Sequence, residues 1–97
     1  MRYWIYIMGS DSGKAIYIGV TNNLERRVWE HKSGIIDGFT KRYQCHKLLY
    51  FEEYGDIRDA IAREKQLKRW GRDKKEVLIK TMNPERRDLS TDSSVVF

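Results

Sequence analysis

From its third residue the chain strings together side chains of high strand propensity, Tyr3-Trp4-Ile5-Tyr6-Ile7-Met8, which predicts a strand over residues 3–8. The polar run Gly9-Ser10-Asp11-Ser12-Gly13-Lys14 reads as a turn, and a second β-rich run predicts a strand over 15–20. Two such runs about a short polar loop predict a hairpin. Side chains alternate between the faces of a strand. Ile5 and Ile7 therefore share one face, with Trp4, Tyr6 and Met8 on the other. Ile16, Ile18 and Val20 oppose Tyr17 and Gly19 in the same way. Turning the isoleucines into one core brings Tyr6 and Tyr17 together on the opposite side of the sheet.

The spacing then changes to that of helices. Thr21-Asn22-Asn23 offers N-caps, with Glu25 in a capping-box position three residues after Asn22. A helix over 23–32 follows, with Leu24 and Val28 as its apolar seam and Arg27 and His31 flanking it, four residues apart on nearly one face. Residues 33–42 read as a loop and 46–54 as a third strand, after which Asp56 caps a helix over 57–70. In that helix Ile57, Ala60, Ile61 and Leu67 form the apolar stripe, and Glu64 interrupts it. A carboxylate there is costly unless a cation, a donor or a metal compensates it, and pairing with Arg63, Lys68 or a neighbouring element is the ordinary structural solution. Asp73 caps a last helix through Met82, with Val77, Leu78 and Met82 facing inward, and Asn83-Pro84 ends it. One domain is expected over 1–89, with a weakly ordered tail over 90–97.

Composition narrows the class. At 97 residues, 40% apolar and 34% charged, the chain suits one small soluble domain. No apolar run reaches the roughly 20 residues of a membrane helix, and the first eight residues are too short for a secretory signal. The single Cys45 excludes an internal disulfide and a multi-cysteine zinc site, so a reduced, cytoplasmic setting without a membrane partner is expected. The net charge is +5, and residues 58–75 alone carry eight cations against three anions. Such a concentration points to an anionic polymer, or to a solvated helix face.

Several chemistries fall away. The Gly9–Lys14 run lacks the spacing of a phosphate loop. Cys45 and His46 are adjacent on a strand, so they point to opposite faces and are poorly placed for proton transfer. The aromatic residues offer a stacking platform for single strands, although in a small fold such residues are usually packing. What remains is Tyr6, Tyr17, Arg27, His31 and Glu64.

Their order carries a resemblance. Trp4-Ile5-Tyr6, then Tyr17-Ile18-Gly19, with Arg27 ten positions after Tyr17 and a glutamate in a later helix, resembles the GIY-YIG nuclease family. Residues 17–31, 62–70 and 83–89 look like its short, stand-alone bacterial members, which are similar to the N-terminal nuclease domain of the DNA-repair excinuclease. The resemblance spans about residues 3–89. It implies an α+β fold with a small three-stranded antiparallel sheet flanked by helices, and metal-dependent endonucleolytic hydrolysis of DNA by one-metal attack of an activated water. Tyr6 and Tyr17 match the motif tyrosines, Arg27 the catalytic arginine, His31 a histidine found after it, and Glu64 the ligand of one divalent ion, Mg²⁺ or Mn²⁺. Asn83 stands at the place of a late family asparagine, further from Glu64 than the pattern expects. Trp4 replaces the first glycine of the name motif.

These roles agree with the chemistry. Arg27 offers a rigid, permanently charged fork to non-bridging oxygens. Tyr17, helped by Tyr6 or His31, is a candidate proton acceptor. Arg26, Arg63, Lys65, Lys68, Arg69 and Arg72 are expected to bind the nucleic-acid backbone. The implied partner is DNA, structured or damaged DNA included, with RNA as a further candidate and DNA repair among the implied settings. Specificity is expected to be low or supplied by a protein partner. The alternative is a catalytically weak or inactive nucleic-acid-binding module of the same fold.

Overall fold

In this computed structural model, which describes residues 1–36, 38–95 and 97, the expected hairpin opens the chain. The parts of the predicted loop and tail at residues 37 and 96 lie outside the described residues. β1 (Tyr3–Ser10) and β2 (Ile16–Thr21) pair antiparallel, and β3 (Cys45–Tyr54) pairs antiparallel with the other side of β1, so the order is β2-β1-β3. β1 runs two residues further than predicted because the turn itself extends the pairing. Ser10 bonds the Ala15 carbonyl through its N–H (2.9 Å) and accepts the Ala15 N–H on its hydroxyl (3.0 Å).

Period-two alternation divides the core into two layers. Trp4, Tyr6 and Met8 pack with Leu24, Val28, Cys45, Leu48 and Leu89 on one face. Ile5, Ile7 and Ile18 pack with Leu49, Tyr50, Ala60, Leu67 and Ile79 on the other. As the central strand, β1 is covered on both faces, and everything from Trp4 to Ser10 is buried. β3 is irregular opposite β1: Ile7 faces Tyr50 but Met8 faces Leu48, which leaves Leu49 as an extra residue. Leu49 leans into the space over Gly9 that any Cβ would occupy.

α1 (Leu24–Ser33) covers the first layer. Its cap is Asn23, whose side chain accepts the Arg26 N–H (3.1 Å), so the predicted capping box at Asn22 and Glu25 does not form. Asn23 is itself held by Thr21, whose hydroxyl accepts the Asn23 N–H and so fixes the cap one residue later. The predicted loop contains a four-residue helix, α2 (Phe39–Arg42), too short to leave a periodic signal. α3 (Ile57–Arg69) and α4 (Arg72–Met82) follow. Asp56 caps α3 as expected, accepting the Arg58 N–H (2.8 Å).

The α3 stripe differs from the prediction. Ala60 and Leu67 are buried, while Ile57 and Ile61 are exposed at the helix surface. The inward face therefore runs Ala60, Glu64, Leu67 at i, i+4, i+7 spacing. Asp73 lies inside the first turn of α4, whose cap is Gly71. Ile79 is the buried residue of α4, and Val77 and Met82, predicted to face inward, are exposed. Leu78, also predicted inward, packs half-buried on the same layer, and polar bonds complete the hold on the helix. Glu76 accepts both Arg72 and Arg86, and Arg72 also donates to the Gly13 and Lys14 carbonyls (2.8 Å each). Beyond α4 a 3₁₀ turn (Leu89–Thr91) buries Leu89, and Val95 and Phe97 rest on the first layer, Phe97 edge-on to Phe51 at 5.4 Å.

Candidate active site

Tyr6 and Tyr17 do meet on the face opposite the isoleucines. In register, Tyr6 stands across from Gly19 and Met8 from Tyr17, which sets the two tyrosines diagonally with ring centroids 6.3 Å apart. The Tyr6 ring crosses its partner position. A Cβ on Gly19 would come within 2.5 Å of the Tyr6 hydroxyl, so the glycine is required by close approach.

Helix α1 delivers His31 to the same place. Its ring lies 5.5 Å from both tyrosine rings, and its Nε2 is 2.9 Å from the Tyr6 hydroxyl. Nδ1 is 3.0 Å from the hydroxyl of Thr40 in α2. Both Tyr6 and His31 are almost wholly buried, at 2% and 1% exposure. Burial, with the neighbouring Tyr17 charge, pushes the Tyr6 phenol well above its usual range, although Arg27 pulls the other way. Burial and Arg27 push His31 down to about 4, against a smaller opposing effect of Glu30. At neutral pH the pair is therefore an un-ionised phenol beside a neutral imidazole. A phenol is a stronger donor than an aliphatic alcohol, so we assign Tyr6 O–H as donor to Nε2 and Nδ1–H as donor to Thr40. Tyr6 is thus a poor base as it stands.

Tyr17 is only partly buried and borders a cavity of about 270 Å³ with Ile16, Ile18, Phe39, Lys68 and Lys75. Arg27 borders a larger cleft of about 480 Å³ with Arg26 and Glu30. Glu30 lies between the two arginines at 3.6 Å from Arg27 and 3.7 Å from Arg26, beyond good hydrogen-bond distance. Arg27 therefore keeps donors available.

Glu64 sits in the opposite layer on α3, its side chain 16% exposed and 3.4 Å from the Lys68 ammonium one turn on. That is its one ion pair among the described residues. Its partner Lys68 borders the Tyr17 cavity, and that is the contact that links Glu64 to the tyrosine side of the sheet. β2 is one of the two edge strands, so groups from both layers can approach its open side.

The predicted phosphate-binding residues divide. Arg26, Lys65, Lys68 and Arg69 are exposed. Arg63 is committed elsewhere, holding Glu52 through Nε (2.9 Å) and Nη2 (3.0 Å) while its plane lies 5.2 Å from the Trp70 ring centre. Arg72 is spent on the Gly13 and Lys14 carbonyls and on Glu76. Neither is a free backbone contact. Asn83 is buried and fully engaged with main chain: its amide donates to the Leu49 and Arg87 carbonyls (3.2 and 2.7 Å) and accepts the Arg87 N–H (3.0 Å). It clamps the exit from α4. Sequence reasoning missed Thr40, which has no local signal because its partner lies nine residues away on another element. It also passed over Phe39 and Tyr43, whose rings meet at 4.7 Å.

Residues 2–77 match the GIY-YIG catalytic domain. The chain belongs to the GIY-YIG family. Among curated relatives it is 38% identical over 86 residues to a UPF0213 protein of Syntrophus aciditrophicus, covering 88% of this chain and 97% of that one. It is 31% identical over 85 residues to a UPF0213 protein of Bacillus pumilus, covering 88% and 86%. The solution NMR structure of a UPF0213 protein from Bacillus halodurans superposes with a TM-score of 0.59 at 25% identity, covering 96% of this chain and 98% of that one. GIY-YIG membership supports a nuclease-type function, and hence a nucleic-acid substrate. The three-stranded antiparallel sheet with its helices is likewise shared with the solved relative.

Proposed function

We propose that this GIY-YIG protein is an endonuclease that hydrolyses DNA phosphodiester bonds with the help of one divalent metal ion. The observation that carries the reading is the gathering of Tyr6, Tyr17 and His31 within ring contact, with Arg27 on the same helix as His31 and bordering an open cleft.

Glu64 fits a hard cation in one respect: it is a part-buried carboxylate with a single, loose ion pair. Among the described residues no three His, Cys, Asp or Glu side chains cluster. An ion would therefore be held by Glu64 with waters and substrate oxygens, the arrangement that suits Mg²⁺ or Mn²⁺ better than zinc. When bound, such an ion supplies charge stabilisation for the departing 3′ oxygen.

The protein groups divide the remaining work. Arg27 presents guanidinium N–H donors to the non-bridging oxygens, where charge accumulates. Tyr17 Oη, beside the cavity, must act as the phenolate: it takes the proton of the attacking water as the water oxygen bonds phosphorus, and the 3′ oxygen leaves as its bond to phosphorus breaks and takes a proton from solvent. The Tyr6–His31–Thr40 chain fixes the aromatic wall behind Tyr17, and its un-ionised state keeps that wall stable at neutral pH. Cleavage leaves 5′-phosphate ends.

The test is nicking of supercoiled plasmid by purified protein with Mg²⁺ or Mn²⁺, against EDTA and a Glu64→Ala variant. Metal-dependent nicking that disappears in the variant is expected. DNA binding without cleavage, indifferent to Glu64, would instead assign the chain to the binding modules of this fold.

A further inference from the structure

One group of aromatic rings is not explained by packing. Tyr43 at the C-cap of α2 and Phe39 within it are 46% and 44% exposed, with ring centroids 4.7 Å apart. Phe39 stacks on Tyr17 at 6.3 Å with 30° between the planes, and Tyr17 in turn touches the His31 and Tyr6 rings. A continuous row of rings thus leads from the surface to the buried phenol. Other rings carry cations: Trp70 carries Arg63 and Lys74, Trp4 carries Arg2 and Tyr43 carries Arg42, whereas among the described residues no cation lies over Phe39. Phe39, 44% exposed, lines the cavity whose other apolar walls are Ile16, Ile18 and Tyr17.

That cavity combines apolar walls with two ammonium groups, Lys68 and Lys75, and Lys75 has no ion-pair partner among the described residues. Arg42 adds a third cation, 5.5 Å from the Tyr43 ring centre. Its volume of about 270 Å³ is that of roughly nine water molecules at their liquid share of ~30 Å³. A flat heterocycle flanked by phosphates matches all three properties: a ring face to stack on, an apolar slot, and cations at the rim. An acidic peptide would satisfy the cations and leave the exposed Phe39 ring without a partner. A base within a continuous duplex cannot enter, because both its faces are already stacked.

Resting on the nuclease reading above, we propose that the Phe39–Tyr43 shelf and its cavity receive one unstacked nucleobase beside the scissile phosphate. The protein would then select nucleic acid with an unpaired or extruded nucleotide over intact duplex.

Binding measured without divalent metal separates this from catalysis. Fluorescence anisotropy compares a single-stranded oligonucleotide, a duplex with one bulged base, and the fully paired duplex. A 2-aminopurine at the bulge reports stacking directly. We expect the first two to bind about tenfold more tightly than the paired duplex, with 2-aminopurine quenching. Phe39→Ala should remove about tenfold of that affinity, in the range known for base–aromatic stacking, and leave paired-duplex binding unchanged. Phe39→Trp should restore it, and matching thermal melts would show that the variants fold. Equal affinity for all three substrates, or an equal loss on all three in Phe39→Ala, overturns the shelf. Metal-dependent nicking with no preference for unpaired bases would leave the nuclease reading standing without it. Preference without nicking would leave the shelf and remove the nuclease.

Discussion

Two clusters in this molecule are built from nearly the same parts. One joins Glu52, Arg63, Tyr50 and Tyr54; in the candidate site Tyr6, Tyr17 and His31 gather, and Arg27 on α1 and Glu64 on α3 are the charged residues of the flanking helices. In the first, every charge is spent. Glu52 receives the Tyr50 and Tyr54 hydroxyls at 2.5 and 2.6 Å and both arms of Arg63. Burial alone would push its carboxyl up, but those donors together hold it below the usual range. In the second, Glu64 has only Lys68 at 3.4 Å, and Arg27 meets Glu30 at a loose 3.6 Å. The tyrosines there bond or stack on neutral rings and leave the carboxylate alone. Saturated charges hold a fold together, whereas charges left part-satisfied beside a cleft are available to a ligand.

The contrast can be broken most forcefully at the arginines. Arg27→Ala should lower the rate of cleavage by 10²-fold or more with little loss of DNA affinity or thermal stability. A variant that kept its rate, or that melted early, would put Arg27 among the structural residues instead.

Acid should act on the second cluster through stability. His31 titrates at about 4 in the fold and near 6.5 when unfolded, so between those values the unfolded chain binds the extra proton. Stability contributed by this residue is full above pH 6.5, falls as pH drops, and levels off below about 4. The shift corresponds to about 3 kcal/mol across that window. Denaturant melts from pH 7 to 4 should show this decline, and His31→Gln should flatten it. Equal slopes in the two proteins would mean that other groups dominate.

The smallest effect is expected at Glu52. Glu52→Ala leaves Arg63 and two phenols without their acceptor and should cost about 2 kcal/mol of stability, reduced because the network is partly solvated. Its turnover at a temperature where it is folded should match the wild type. A selective loss of turnover would erase the distinction between the clusters.

How far each cluster could be read in the sequence follows from the range of its interactions. Period-two alternation placed Tyr6 beside Tyr17, and helical spacing placed Arg27, His31 and Glu64 on useful faces, because those are local regularities. The partition of the basic residues was not local. Arg63 and Arg72 look like any other surface cation along the chain. They differ from Lys65 and Arg69 only because β3 and the β1–β2 turn come up against them. Thr40 and the four-residue α2 escaped for the same reason, since their geometry is set by distant partners: His31 of α1, Tyr17 of β2 and strand β3. On α3 the reading failed in the opposite sense: Ile57 and Ile61 fit the periodicity and still face outward, because Ala60 and Leu67 already fill the contact with the sheet.

Gly19 shows how tightly the motif is coupled internally. With a Cβ in place, the Tyr6 ring carbon Cζ would be 2.6 Å away and Cε1 2.9 Å away, so trimming the hydroxyl with Tyr6→Phe makes no room for an alanine at 19. Only a smaller side chain at position 6 would. The two positions can be redesigned only as a matched pair, and any route through single steps passes through a protein in which the ring has been displaced from His31.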